Sequence, residues 1–204
     1  MKGFLRAILA LLLVGTMANA KEENGVFVGL EMGFAENHLN LKSVVQGYNY
    51  SSDANITALA IGGKVGYKYF FFDWIGVRGY VNVDYMQTAS KSDGNTMIFN
   101  DVIYGINADV LFNFYSNEAM NAGAFVGIGL GGQIFSTDAF VKTYDISDFY
   151  GDIKLGLRVN AAKNHEMEFI AKIPYYKATK TFDNVIKAKA KQNYQILLGY
   201  NYAF

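Results

Sequence analysis

Twelve charged residues fall on the polar parity of alternating segments: Glu31, Lys64, Lys68, Arg78, Asp84, Asp101, Asp109, Asp152, Lys154, Arg158, Glu168 and Lys172. Two chemistries suit such a set. Paired carboxylates do acid–base work when their environments push their proton affinities apart. Near-equal numbers of opposite charges instead neutralise one another in a confined space. Six of these residues are acidic and six basic, which favours the second reading. A hydrolytic site needs a histidine beside Ser or Asp. Only His38 and His165 are present, and they fall at opposite ends of their segments; no spacing favours His38 with Ser43, Ser51 or Ser52. The chain has no cysteine, so disulfides and thiolate metal sites are excluded. Gly127-Ile-Gly-Leu-Gly131-Gly132 matches a dinucleotide-type glycine string, but that chemistry needs the string between a strand and a helix. Here it lies inside an alternating segment, where small residues give room. The sequence is read as a non-enzyme without cofactor or metal.

The elements that position these charges are strands. Period-two alternation marks a strand with one apolar and one polar face. It recurs in eight segments: GVFVGLEMGFA, ITALAIGGKVGYKYF, IGVRGYVNVDY, NDVIYGINADVLFNF, AFVGIGLGGQI, GDIKLGLRVN, EMEFIAKIPYY and NYQILLGYNYAF. Short connections such as FFD, YSNEAMN and AAKNH alternate with long polar ones such as ENHLNLKSVVQGYNYSSDAN and QTASKSDGNTMIFN. An even number of amphipathic strands, with short turns on one rim and long loops on the other, is the pattern of a bacterial outer-membrane barrel. The expected fold is all-β: an eight-stranded antiparallel up-and-down transmembrane β-barrel over residues 21–204.

Which face meets lipid follows from the aromatics. Tyr67, Tyr69, Phe72, Trp74, Phe112, Phe114, Tyr200, Tyr202 and Phe204 gather near the short turns, and Phe34, Tyr85, Tyr104, Tyr175 and Tyr194 near the long loops. Two such bands on the apolar face are girdles at the lipid headgroups. The charged face then lines the lumen. An eight-stranded barrel is only wide enough for side chains to fill, so the charges are expected to pair across it. Lys187, Lys189 and Lys191 continue the lumen parity of the last strand upward and are expected at the outer mouth. Their ordinary role is solvated loop charge; the functional one is contact with lipopolysaccharide phosphates or another anionic partner.

The two ends fit an exported protein. Residues 1–20 carry Lys2 and Arg6, an apolar run and Ala18-Asn-Ala20, the layout of a cleaved signal peptide, which leaves Lys21 as the mature N-terminus. The mature chain is then close to neutral, at roughly −2, which argues against a nucleic-acid partner. At the other end Tyr200, Tyr202 and Phe204 close an alternating strand on a terminal aromatic. This looks like the assembly signal read by the barrel insertion machinery.

NGVFVGLEMGFAE, HEMEFIAKIPYY and the ending LLGYNYAF resemble the Helicobacter-type outer membrane protein family of ε-proteobacteria. The resemblance implies an integral outer-membrane barrel surrounded by lipid and lipopolysaccharide. Some large members of that family are adhesins and some form pores. The adhesins carry an extracellular domain inserted near the N-terminus, for which this chain has no room. The expected function is a structural or surface-interaction role, with a host or surface ligand bound through the extracellular loops. A narrow pore or transporter is the first alternative and a lipid-modifying enzyme the second.

Overall fold

The structure is a computed structural model that describes residues 24–45, 48–92, 95–117, 120–139, 142–161, 164–175, 178–182 and 186–204. The expected signal peptide, residues 1–20, and the new terminus at Lys21 lie outside the described residues.

The chain runs through β1 (Gly25–Val45), β2 (Tyr48–Phe72), β3 (Ile75–Ser92), β4 (Asn95–Ser116), β5 (Met120–Ala139), β6 (Lys142–Ala161), β7 (His165–Pro174), β8 (Ala178–Phe182) and β9 (Ile186–Ala203). Every pairing is antiparallel, each strand of β1 to β7 lies beside the next, β7 pairs with β9, and β9 returns to β1. The sheet is therefore closed and has no free edge at membrane depth, which satisfies the backbone without water. Among the described residues β8 pairs with the outer part of β9, above β7. Thus β7 and β8 share one position in the wall, and the barrel has the eight staves expected.

The strands are longer than the alternation suggested. β1 and β2 stay in register from Gly25↔Lys68 out to Val45↔Tyr48, through a stretch read as a long polar loop. β3 and β4 continue to Ser92↔Asn95, and β5 and β6 to Ala139↔Lys142. The physical reason is simple. Backbone ladders do not depend on side-chain polarity. Beyond the lipid both faces meet water, so the period-two signal fades while the ladder goes on.

The short turns are held by local hydrogen bonds. Asn113 N donates to Trp74 O at 2.9 Å, and its side-chain amide donates to Asp73 O at 3.1 Å. Asn117 caps the next turn by accepting from Met120 N at 2.8 Å. Bulges near Phe71 and Phe114 sit at the same rim, where strand pairing ends and bulges are common. The first leaves both Phe71 and Phe72 facing outward and exposed.

The outer wall is apolar. Leu30, Met32, Ile61, Val83, Ile106, Leu155 and Leu198 are exposed, as are the aromatics of both rims. On a soluble protein this surface would aggregate; in a bilayer it is the solvent-matched face.

Candidate functional site

The charged lumen is the structure's most concentrated chemistry. All twelve charged residues named from the sequence are buried, none more than 5% exposed. Alternation directs them inward, and glycine clears the space they fill. At Gly129 an added Cβ would meet Asn107 Oδ1 at 2.5 Å, Lys154 Nζ at 2.6 Å and Asp152 Oδ1 at 2.7 Å. The glycine string of β5 therefore serves packing between charged heads.

The pairs span the barrel. Lys172 on β7 binds Glu31 on β1 and, at 2.7 Å, Asp84 on β3. Lys64 on β2 reaches Glu168 on β7 at 2.6 Å and lies 3.5 Å from Glu31. Arg78 on β3 holds Asp109 through Nε at 2.7 Å; its Nη1 holds Glu168 and, at 3.2 Å, Glu166. Arg158 binds Glu166 and donates to Asn113 Oδ1 at 2.9 Å. Lys154 binds Asn107 and lies 2.7 Å from Asp152. Asn107 donates to Asn82 at 2.7 Å, and Asn82 to Asp84 at 2.9 Å. Lys68 is buried in register with Arg78. Asp101 stands apart, accepting from the Gln133 side chain at 2.5 Å.

Two features of the lumen escaped the sequence reading. Glu166 joins both arginines and shares the polar parity of Glu168 and Lys172, although it is not among the twelve. The second feature is an apolar stripe. One ladder row runs Leu111, Phe125, Gly156, Ile170, Leu197, Gly33, Ala60, Met86 and back to β4 at Asp101, ten residues from where it began. This stagger is the tilt that closure demands. It winds buried apolar side chains between two charged rows. Arg78 also lies over the rings of Phe125 (4.5 Å), Tyr80 (5.4 Å) and Phe27 (5.8 Å), which offsets part of the cost of burying a guanidinium. The signal was available: Phe27, Tyr80, Phe125, Ile170 and Leu197 all fall on the polar parity.

Beside and above the paired charges the lumen also carries apolar side chains and amides. Met86, Ile103, Ile170, Leu197 and Tyr150 are buried with two amides. Gln195 donates to Gln192 Oε1 at 2.8 Å, Tyr150 Oη approaches the same oxygen at 3.3 Å, and Gln192 Nε2 lies 3.1 Å from Met86 Sδ.

The remaining residues named from the sequence lie on the outside or at the rim. Tyr200, Tyr202 and Phe204 face outward, with Tyr202 and Phe204 edge-to-face at 5.1 Å. The terminal strand is tied down on both sides: Phe204 N donates to Val26 O, and Ala203 N to Asn164 O, each at 2.9 Å. His165, at the start of β7, shares a 2.7 Å hydrogen bond with Tyr200 Oη. His38 sits in the outer part of β1, far along the barrel from it. Among the described residues no group of His, Asp or Glu is arranged to hold a metal ion.

Lys187, Lys189 and Lys191 lie beyond a change of register in β9. β9 carries a bulge at Asn193, where Glu36 pairs with Tyr194 and Asn37 with Gln192. The extra residue inverts the alternation above it. The three lysines pair in register with Lys42, Asn40 and His38, which continue the lipid-facing parity of Val28, Leu30 and Phe34. In backbone register these positions are one residue out of step with the lumen parity of the strand below Asn193.

Comparison with known proteins agrees with this architecture. The model of one protein family, described as Helicobacter outer membrane protein, matches residues 62–204. Among solved structures, the chain is similar to outer membrane protein OprG from Pseudomonas aeruginosa, at 14% identity over 91% of this chain and 99% of that one, with a TM-score of 0.53. It is also similar to Neisserial surface protein A, at 12% identity over 88% of this chain and 97% of that one, with a TM-score of 0.50. Both likenesses concern the fold. No curated protein matches the chain.

Proposed function

Because the chain belongs to the Helicobacter outer membrane protein family, we propose that it is a non-conducting integral barrel with a structural and surface-interaction role. The observation that carries this reading is the lumen itself. Charged side chains reach across its width in pairs, and those named above are at most 5% exposed. An ion entering would have to break several buried pairs, each costing about 3–5 kcal/mol when one partner is lost. Such a barrel is a plug, and its partners are met outside it.

The strand extensions of β1 to β6 continue their ladders past the outer girdle and are rich in polar residues. These carry the surface contacts. The first partner in this reading is lipopolysaccharide, held through its phosphates by Lys187, Lys189 and Lys191, whose backbone pairs in register with Lys42, Asn40 and His38. Clustered positive charge next to an anionic leaflet attracts it, and salt screens that attraction.

Planar-bilayer recording on refolded protein tests the reading. The expected result is a membrane as tight as one without protein at physiological salt. Stable single-channel currents would overturn it and favour a narrow pore.

A further inference from the structure

Glu36 stands apart from the carboxylates of the lumen. It continues the outward parity of Leu30, Met32 and Phe34 on β1 and is half-buried, whereas Glu31 and Asp84 are enclosed. Its row belongs to the outer girdle. In register Glu36 pairs with Tyr194 of β9 on one side and with Thr57 of β2 on the other, and both are exposed.

The bulge of β9 acts on this carboxylate. Glu36 pairs with Tyr194 and Asn37 with Gln192, so Asn193 has no partner across the β1–β9 ladder. A bulge re-aims the side chain it carries. Here the Asn193 amide donates to Glu36 Oε1 at 3.1 Å, and Tyr194 Oη donates to Glu36 Oε2 at 2.8 Å. Two neutral donors fix the carboxylate without cancelling its charge. Among the described residues no cation pairs with it. Each carboxylate oxygen keeps a lone pair after accepting one hydrogen bond. Asn193 Oδ1 and the Thr57 hydroxyl add oxygen donors on either side.

We infer that Glu36, Asn193 and Thr57 form one half of a divalent-cation site, and that a phosphate of an outer-leaflet lipid supplies the other half. Ca²⁺ takes about six to eight oxygen ligands, and Mg²⁺ keeps several waters. The protein oxygens are too few alone, in keeping with the lack of a three-residue metal group among the described residues. Phosphate oxygens and water complete the shell. A bare carboxylate would repel lipid phosphates at this level, whereas a shared divalent ion binds both. The inference rests on the lipid contact proposed above for its phosphate-bearing partner, but it uses Glu36 and a metal ion in place of the lysines.

Mn²⁺ is a suitable probe, because it favours the same oxygen ligands and broadens nearby NMR signals. In nanodiscs containing the phosphorylated lipid moiety of lipopolysaccharide, Mn²⁺ should first broaden the backbone amides of residues 35–37, 57 and 193–194. Added Ca²⁺ should reverse the effect. Glu36→Gln keeps the side chain's shape and should weaken the effect at least tenfold, with the rest of the spectrum unchanged. Thr57→Val, which leaves both hydrogen bonds to Glu36 in place, should weaken it several-fold. Nanodiscs of a phosphate-free glycolipid should weaken it at least tenfold. Broadening spread evenly around the outer girdle, or undiminished in Glu36→Gln, would mean an adventitious ion only and would overturn the inference. So would equal broadening without phosphate. Replacing Lys187, Lys189 and Lys191 by Gln should leave the Mn²⁺ effect in place; its loss would assign the phosphate to the lysines and overturn the site at Glu36. Lipid binding unchanged in the lysine variant, with the Mn²⁺ effect intact, would sink the lysine contact alone.

Discussion

The two ends of the lumen are built on different principles. Toward the periplasmic turns, Arg78 and Arg158 share Asp109, Glu166 and Glu168, and aromatic rings cover the guanidinium of Arg78. Toward the outer mouth, Asp101 is met by the neutral Gln133, and amides and aliphatics replace the ion pairs. The contrast teaches where the barrel can yield. Buried ion pairs tolerate little change because losing either partner strands the other. An amide and methionine layer can shift its contacts at small cost. The inner end fixes the barrel and the outer end leaves it adaptable.

The largest effect should come from reversing a charge at the inner end. Arg78→Glu would remove the partner of Asp109 and add a carboxylate beside Glu166 and Glu168. A loss of about 3–5 kcal/mol is expected, the range for an unpaired buried charge. Arg158→Glu should behave alike through Glu166. Urea unfolding in lipid vesicles, followed by circular dichroism, measures both. Variants as stable as the parent would show that the pairs fill space without holding the wall.

A gentler pair of substitutions sharpens the same contrast. Asp109→Asn takes a charge-assisted bond from Arg78 Nε and should cost about 1.5–3 kcal/mol. Asp101→Asn takes a negative charge from a buried position that has no cation beside it among the described residues, and the amide can still bond Gln133. Its change should be under about 1 kcal/mol, or stabilising. Equal losses at the two sites would mean that the ends are alike.

The sequence displayed this architecture unevenly, for physical reasons. Lipid demands an apolar residue at every second position, so the eight membrane segments and their girdles were legible from period alone. Past the girdle that demand stops, and the outer halves of β1 to β6 became invisible although their ladders continue. Within the lumen the charges were plain, whereas the stripe of Phe125, Ile170, Leu197 and Met86 was not. Its continuity depends on stagger between strands, which no single segment records. The bulge at Asn193 was hidden too. A single extra residue shifts the backbone register without changing composition, and no pattern of side-chain types marks it.

That shift leads to the smallest expected effect on stability, and to the sharpest use of the contrast between the two ends. If Lys187, Lys189 and Lys191 continued the lumen lining, replacing all three by Gln would disturb packing at the mouth. Their backbone register with Lys42, Asn40 and His38 is instead one residue out of step with that lining. Surface substitutions away from special features change stability by no more than about 0.5 kcal/mol, so the triple Gln variant should unfold with the parent. What should change is the encounter with anionic lipid. Binding of lipopolysaccharide, or of its isolated phosphorylated lipid moiety, to the protein in nanodiscs should weaken several-fold at low salt. The difference should shrink as salt rises, because screening removes the contribution the lysines supply. Unchanged binding with unchanged stability would remove these lysines from the partner surface. A loss of stability would return them to the mouth of the lumen.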